Sequence, residues 1–546
     1  MSQIHVRDKN EPFSLRKLFF YQSLENTRKM SSKSYRSTRS SGKEEISFED
    51  AVMTGLAKDG GLFVPSVIPR LPSEFLHKWK DLTFEQLAFN IMREYISESE
   101  IPNDDLRSLV ERSYSTFRAK EITPLKPLDD KSGLYLLELF HGPTYAFKDV
   151  ALQFVGNLFE YFLVRRNAEI EDDKKRQKIT VVGATSGDTG SAAIYGLRGK
   201  KDVSVFILYP TGRISPIQEE QMTTVEDKNV HTFSVNGTFD DCQDIVKQIF
   251  GDGEFNAKYH VGAVNSINWA RILAQITYYF HSYFQLLKMT SASGEAEVKP
   301  RFVVPSGNFG DILAGYYAKS MGLPVDKLVI ATNENDILDR FLKTGRYEKD
   351  GEVKATFSPA MDIVISSNFE RLLWYLIRDN VTEGDDSKAG QTLDEWMRQL
   401  KATGSVRAPE SVVSAARIDF NSERVTDSET AATIRQVYTE DEEHYVLDPH
   451  TAVGVAASLR HITRDAASGK TGIKYISLST AHPAKFSDVV NKALVGVDNY
   501  SFEKDVLPDD LKALAEKEKR IILIKEASLS EVKARIIAEL AKESTT

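Results

Sequence analysis

Cysteine is almost missing from this chain: Cys242 is the single one in 546 residues. A lone thiol excludes a disulfide framework and leaves no thiolate pair for zinc, so we predict neither disulfides nor a metal site. Free thiols are typical of reducing compartments, and we therefore expect a cytoplasmic protein.

The chain also lacks a long apolar run and an excess of basic residues. The most apolar stretch, 267–287, is interrupted by Arg271, Gln275 and His281 and is not expected to span a bilayer. A net charge of −9 argues against a nucleic-acid partner. We expect no membrane or nucleic acid as a partner, and the sequence leaves open whether the protein is a monomer or a dimer.

Two regions differ in character from the centre of the chain. Residues 1–29 mix acidic with basic side chains, unlike an organellar presequence, and we predict a disordered extension. Residues 30–125 are predicted to form a helical N-terminal domain, in which Ser47 and Asp50 match a capping box. Whether the extension is a presequence, a tail or an upstream start stays open.

Short β-branched or apolar runs alternate with helical segments through the rest of the chain. The runs are 179–182, 203–208, 230–235, 302–304, 328–330 and 475–478. This alternation predicts a doubly wound α/β core of mostly parallel strands, with ligands beyond the carboxyl ends of the strands. We assign this core to 126–335 and 445–546, and the charged helical stretch 336–444 to an insertion or third subdomain.

The segment HGPTYAFKD, 141–149, ends a Gly-Pro turn on Lys148. A surface lysine at a turn is the simplest explanation of one such residue. Two glycine-rich turns farther along change the balance, because a lysine amine together with phosphate-binding turns is what a pyridoxal-phosphate enzyme requires.

Those two turns share the pattern S-G-x-x-G. Ser186–Gly190 follows the run at 179, and Ser306–Gly310 follows the run at 302. Glycines let successive N–H groups converge on an anion at the positive end of a helix. The first turn lacks the G-K-[ST] ending of a nucleotide-binding loop and the spacing of a dinucleotide fingerprint, so a small cofactor with one terminal phosphate suits the turns better.

Two further segments have two interpretations each. Thr480 either ends its strand together with His482 or offers a hydroxyl at the same sheet edge. Asn265 and Ser266 precede a long helix, where such residues are first of all caps. With Arg271 one turn later they could instead bind a phosphate.

Taken together, these motifs resemble the threonine synthase family in its fungal form. The matching segments, in family order, are Tyr35–Arg39, Lys58–Leu62, His141–Asp149, Gly183–Gly190, Tyr209–Pro216, Asn265–Arg271, Pro305–Asp311 and Thr480–Lys485. They extend from about residue 33 nearly to the end of the chain, and no functional position departs from the family pattern.

The resemblance implies pyridoxal phosphate as cofactor, in the fold shared with tryptophan synthase β and serine dehydratase. It also implies conversion of O-phospho-L-homoserine and water to L-threonine and phosphate. Lys148 is then the Schiff-base lysine and proton carrier, and we expect burial and nearby cations to lower its pKa.

Further site residues are implied motif by motif. The cofactor, chiefly its phosphate, is assigned to Gly307, Asn308, Phe309 and Asp311, and its pyridine nitrogen to Thr480. The substrate carboxylate is assigned to the turn with Thr185, Ser186, Asp188 and Thr189. The substrate phosphate is assigned to Asn265, Ser266 and Arg271.

Two alternatives stay open at this point. A phospho-lyase or dehydratase that releases 2-oxobutanoate would share the cofactor and the early chemistry. A non-catalytic sensor of phosphorylated metabolites could use the same scaffold, although an intact Lys148 with both turns argues against it.

Overall fold

The computed structural model describes residues 33–172, 175–262, 264–291 and 298–543. The predicted extension, 1–29, lies outside the described residues. No helix in the described part of the chain is both long and apolar enough to cross a membrane.

The strands of these residues are short. In chain order they are β1 (Tyr35–Ser37), β2 (Phe63–Pro65), β3 (Leu125–Asp129), β4 (Leu134–Glu138), β5 (Ile179–Ala184), β6 (Val203–Pro210), β7 (Val230–Val235), β8 (Val261–Gly262), β9 (Arg301–Pro305), β10 (Leu328–Thr332), β11 (Arg346–Glu348), β12 (Ser405–Arg407), β13 (Phe420–Arg424), β14 (Tyr475–Ser479) and β15 (Ile522–Ile524).

Helices connect and cover these strands. They are α1 (Phe48–Thr54), α2 (Phe75–Lys78), α3 (Phe84–Tyr95), α4 (Asn103–Tyr114), α5 (Lys148–Arg166), α6 (Asp188–Leu197), α7 (Pro216–Thr223), α8 (Phe239–Gly251), α9 (Gly253–Tyr259), α10 (Trp269–Ser291), α11 (Gly310–Met321), α12 (Ile337–Thr344), α13 (Phe369–Asn380), α14 (Asp386–Thr403), α15 (Glu410–Asp419), α16 (Asp427–Glu440), α17 (Pro449–Ala467), α18 (Ser487–Ala493), α19 (Phe502–Asp505), α20 (Asp509–Lys512) and α21 (Leu529–Glu543). Short 3₁₀ turns lie at Pro359–Met361, Pro483–Phe486 and Ala513–Glu516.

Two sheets form the core. The larger has the strand order β13-β10-β9-β14-β4-β3 and the smaller β15-β7-β6-β5-β8. Neighbouring strands are parallel throughout, except for the antiparallel pair β3–β4. The predicted doubly wound, mostly parallel architecture is confirmed, and each run predicted as a strand lies within an observed one.

The N-terminal helices form where their caps indicate. The Ser47 hydroxyl accepts the Asp50 N–H at 3.0 Å at the start of α1, and Thr83 forms a reciprocal capping box with Gln86 at the start of α3. The apolar stripe of α3 is fully buried, as its helical spacing predicts.

The crossover helices pack close to one another. A Cβ on Gly156 of α5 would lie 1.8 Å from the carbonyl oxygen of Gly196 in α6. Glycine at both positions therefore lets the two backbones touch, and this contact packs the middle of α5 against the end of α6.

The region 336–444 is mostly helical, but it also supplies a strand to the larger sheet. β13 pairs in parallel with β10, from Phe420 opposite Leu328 to Arg424 opposite Thr332. Because β13 is an edge strand with polar, partly exposed residues, it lacks the apolar run by which the other strands were predicted. The division of the chain into domains stays a prediction.

Candidate active site

A cavity of about 650 Å³ lies where the carboxyl ends of β5, β9 and β14 meet the start of α5. Every site residue singled out from the sequence contributes to its wall. They are Lys148, Thr185, Ser186, Asp188, Thr189, Asn265, Ser266, Arg271, Gly307, Asn308, Phe309, Asp311 and Thr480. The structure thus brings them together, while the role of each stays a prediction.

Lys148 is the first residue of α5, and its side chain is buried against the cavity. The N–H of Phe147 donates to the carbonyl of Thr480 at 2.8 Å, which joins the lysine loop to the end of β14. Burial, aided by Lys485 and Arg271 and opposed by Asp188, lowers the pKa of the Lys148 amine. The direction agrees with the expectation for a lysine that acts as a base.

The first glycine-rich turn is closed by the residue that precedes it. The Thr185 hydroxyl accepts the N–H groups of Gly187 and Gly190, both at 2.9 Å. Gly187 has φ 141°, and a Cβ there would lie 2.3 Å from the Gln218 amide oxygen. An anion at this turn would therefore be bound by the remaining N–H groups, those of Ser186, Asp188 and Thr189.

The Asp188 side chain forms ion pairs with two lysines. Its two oxygens lie 2.7 Å from the Lys485 amine and 3.7 Å from the Lys148 amine, and Gln218 donates to it at 3.0 Å. Burial alone would raise the pKa of Asp188, but the two lysines hold it below its usual range. Asp188 thus contributes a negative charge to the wall, and only its N–H could assist in binding an anion.

The second glycine-rich turn keeps its N–H groups open. Among the described residues, no hydrogen bond occupies the N–H groups of Gly307, Asn308 or Phe309. Their carbonyls are held from behind, since Ser366 donates to Gly307 O at 2.7 Å and Asn368 to Asn308 O at 2.9 Å. The turn is thus presented with its donors toward the cavity, which suits a phosphate.

Phe309 adopts the left-handed conformation at φ 65°, a strain of about 1–2 kcal/mol for a non-glycine residue. Its ring packs against Phe369 and Phe420 in the core, with centroids at 5.2 and 5.8 Å. The buried ring therefore anchors the strained backbone, and Phe309 meets the cavity chiefly through its main chain.

Asp311 has the properties of a buried carboxylic acid. One of its oxygens accepts from the hydroxyls of Tyr278 and Tyr279 at 2.5 and 3.0 Å, while the other is buried without a hydrogen-bond partner among the described residues. Burial raises the pKa of Asp311 to about 6. Below about pH 6, where it is protonated, Asp311 could donate to an anion that its carboxylate form would repel.

Arg271 is a buried guanidinium that forms no ion pair within the described part of the chain. It is 4% exposed, its Nε has no hydrogen-bond partner, and no carboxylate of the described residues forms an ion pair with it. Burial lowers its pKa to about 10, which leaves it charged at neutral pH. Burying a charge without a partner costs several kcal/mol of desolvation free energy. A bound anion beside Arg271 would offset this cost.

The cap interpretation of Asn265 and Ser266 is wrong. Asn268 caps α10 instead, since its side-chain oxygen accepts the Ala270 N–H at 3.0 Å. Asn265 and Ser266 lie in the loop before α10 and line the cavity. For His482, the packed ring is confirmed: it lies against Phe140 and Tyr145, outside the cavity wall.

Several residues in or behind the cavity wall were not identified from the sequence. Gln218 and His450 line the cavity. Asn368 and Lys485 instead contact the lining residues Asn308 and Asp188, and Arg371 donates to the Asn368 side chain. Lys485 ends the motif Thr480–Lys485, so the sequence already contains a lysine at this position of a family motif. Asn368 and Arg371 lie in the region 336–444, where no motif marks them.

These residues fit pyridoxal phosphate. The cavity holds a buried amine at Lys148 and the N–H donors of Gly307 to Phe309. It also holds two buried polar atoms, on Arg271 and Asp311, that have no hydrogen-bond partner among residues 33–172, 175–262, 264–291 and 298–543. A lysine-bound cofactor with a terminal phosphate would meet the first two, and a second anion would meet Arg271.

Comparison with known proteins agrees with this chemistry. Residues 34–114 match the family model described as threonine synthase N terminus, residues 451–536 the one described as threonine synthase, C-terminal, and residues 117–473 the one described as pyridoxal-phosphate dependent enzyme. The chain is 63% identical over 513 residues to threonine synthase of Saccharomyces cerevisiae, covering 93% of this chain and 98% of that one. It is 57% identical over 521 residues to that of Schizosaccharomyces pombe, covering 93% and 99%.

Solved structures agree as well. The crystal structure of threonine synthase from yeast superposes with a TM-score of 0.90 at 62% identity, covering 94% of this chain and 99% of that chain. The pyridoxal-phosphate-bound threonine synthase of Brucella melitensis gives a TM-score of 0.81 at 41% identity, covering 93% and 99%.

Proposed function

We propose that this chain, which belongs to the threonine synthase family of pyridoxal-phosphate-dependent enzymes, converts O-phospho-L-homoserine and water to L-threonine and phosphate. The observation that carries the proposal is Arg271, a buried guanidinium that the described residues leave without an ion-pair partner, in the same cavity as the Lys148 amine. If the cofactor phosphate binds at the second turn, Arg271 is available to bind a second phosphate. The proposed substrate carries such a phosphate.

Three parts of the wall would hold the cofactor. Lys148 would bind it covalently, the N–H groups of Gly307 to Phe309 would receive its phosphate, and Thr480 would offer a hydroxyl to its ring nitrogen. When bound, the cofactor withdraws electrons from the substrate, which acidifies protons on neighbouring carbons.

The chain's own residues would bind the substrate and move protons. Arg271, with Asn265 and Ser266, would bind the substrate phosphate through paired donors. The N–H groups of the first turn would receive the carboxylate. Lys148, with its lowered pKa, would take a proton from a substrate carbon and return one, and its place inside the cavity keeps bulk water away from that proton.

The test is a product assay on Lys148→Ala beside Lys200→Ala. Lys200 is a partly buried lysine that bonds Asn157 remote from the cavity, and it serves as the matched control. We expect Lys148→Ala to lose the visible absorbance of a lysine-bound cofactor and to lower kcat by about three orders of magnitude or more. Lys200→Ala should keep both.

Each alternative has its own outcome in that assay. Mostly 2-oxobutanoate instead of threonine from the wild-type enzyme would favour the phospho-lyase. A wild-type protein that binds phosphohomoserine without turnover would favour the sensor. The proposed location is the cytoplasm, where a free thiol such as Cys242 stays reduced, and a monomer or dimer is the expected assembly.

A further inference from the structure

A second lysine is buried directly behind the site. Lys485 lies in the 3₁₀ turn Pro483–Phe486, and its side chain is 0% exposed. Its amine contacts Asp188 at 2.7 Å and donates to the Thr144 carbonyl at 2.8 Å. Thr144 belongs to the loop that presents Lys148, where Asp149 accepts both its N–H and its hydroxyl.

Asp188 therefore contacts two amines, and the two contacts differ in distance. Lys485 has a short contact and a second acceptor, whereas Lys148 has one long contact of 3.7 Å. In a desolvated site one carboxylate balances one ammonium well, and a second ammonium is left uncompensated. The geometry assigns the permanent charge to Lys485 and makes Lys148 the amine that gives up its proton.

We infer that Lys485 is a positioning residue that holds Asp188 in a permanent ion pair, which leaves Lys148 available as a neutral amine. The inference rests on the proposed function of Lys148. It also gives the Asp188 side chain a partner other than the substrate: the carboxylate keeps its counter-ion whether or not Lys148 is bound to the cofactor.

Other ionisable groups face this pair from the neighbouring elements. Arg271 of α10 and Asp149 of α5 act on Lys148 with opposite signs, Asp311 of α11 faces it across the cavity, and His450 of α17 acts on Asp188. These groups are common to all variants considered below, so a shift between variants reports the Lys485–Asp188 pair.

The direction in which each variant moves the pKa of the Lys148 nitrogen follows from the charges that remain near it. Removal of Lys485 leaves Asp188 to Lys148 alone, which favours the protonated nitrogen and raises its pKa. Removal of the Asp188 charge leaves Lys485 as an unbalanced cation nearby, which lowers the pKa of Lys148. Removal of both charges restores the local balance and should return the pKa close to its original value.

The experiment titrates the visible absorbance of the bound cofactor against pH in the full-length, cofactor-loaded protein, because that absorbance reports the protonation of the Lys148 nitrogen. We expect the midpoint to rise by about one pH unit or more in Lys485→Met and to fall by a similar amount in Asp188→Asn. The double variant should titrate near the wild type. Lys200→Met, the remote control, should not shift.

A Lys485→Met protein that folds, binds cofactor and keeps the wild-type midpoint overturns the inference and leaves Lys485 a structural role. If Lys485→Met fails to fold, Lys485→Gln, which can still donate to the Thr144 carbonyl, and Asp188→Asn decide. An Asp188→Asn midpoint that stays or rises contradicts the inference. A wild-type protein without cofactor absorbance or threonine formation contradicts the proposed function instead.

Discussion

The two S-G-x-x-G turns have the same pattern and different structures. Both follow a parallel strand and begin a helix at the wall of one cavity. In the first, the Thr185 hydroxyl occupies two of the turn's N–H groups. In the second, the residue at the equivalent position is Pro305, which has no hydroxyl, and the N–H groups of Gly307 to Phe309 stay open.

The residue ahead of a glycine-rich turn thus decides whether the turn is filled by its own chain or left for a ligand. The supports behind the turns differ too. Gln218 and Lys485 surround the first turn through Asp188, so its environment is charged. Ser366 and Asn368 hold the carbonyls of the second. The second turn is the stronger candidate for a phosphate, and the first for a smaller or weaker anion.

Among the variants that test this comparison of the two turns, the largest effect is expected for Gly307→Ala in the second turn. A Cβ there would lie 2.9 Å from the Met361 Cα, so backbone must move and the open N–H groups lose their arrangement. We expect cofactor affinity to fall by about 100-fold, or about 3 kcal/mol, measured as the dissociation constant of the cofactor.

Gly183→Ala is the matched control in the same wall, because its Cβ would meet only the Ile207 side chain at 3.4 Å. Cofactor affinity should stay near the wild type there. Equal losses in both variants would contradict the assignment of the cofactor phosphate to the second turn.

An intermediate effect is expected for Asn368→Ala. The Asn368 amide donates to Asn308 O at 2.9 Å and to Ser266 O at 3.1 Å, and therefore supports both the cofactor turn and the segment proposed to bind the substrate phosphate. Loss of these buried bonds should weaken cofactor affinity and raise KM together, each by about 2 kcal/mol or roughly 30-fold.

Ser367→Ala is the control for that prediction. Ser367 donates to the Asn308 side chain at 3.1 Å, and no hydrogen bond joins it to Ser266 in the described part of the chain. We expect less than a threefold change in cofactor affinity and an unchanged KM, measured by the same titration and by steady-state kinetics. A rise in KM alone for Asn368→Ala would show that the two sites are not jointly supported.

The smallest effect is expected for Thr185→Val in the first turn. The change keeps the shape of the side chain but removes the acceptor for Gly187 and Gly190. Because a neutral hydrogen bond contributes about 1 kcal/mol net, we expect a loss of about that size, seen as a roughly fivefold rise in KM at unchanged cofactor affinity. A loss of cofactor affinity in Thr185→Val would contradict the assignment of the cofactor phosphate to the second turn.

Much of the fold follows from local pattern. The apolar runs of β5, β6, β7, β9, β10 and β14 are buried on both faces, so period and composition identify them. β13 is not identified in this way, because it lies at the edge of the sheet and its polar residues are partly exposed. The cap of α10 could not be predicted from local sequence either. Asn265, Ser266 and Asn268 are equally suitable capping residues until the start of α10 is known.

The sequence by itself determined the alternation of strands and helices, the lysine turn and both glycine-rich turns, because each depends on residues adjacent in the chain. Only the tertiary structure decided which N–H groups remain free, that Lys485 shares Asp188 with Lys148, and that Asn368 supports two distant segments. These depend on burial and on contacts between residues far apart in sequence, such as Lys485 and Thr144, and no local pattern contains that information.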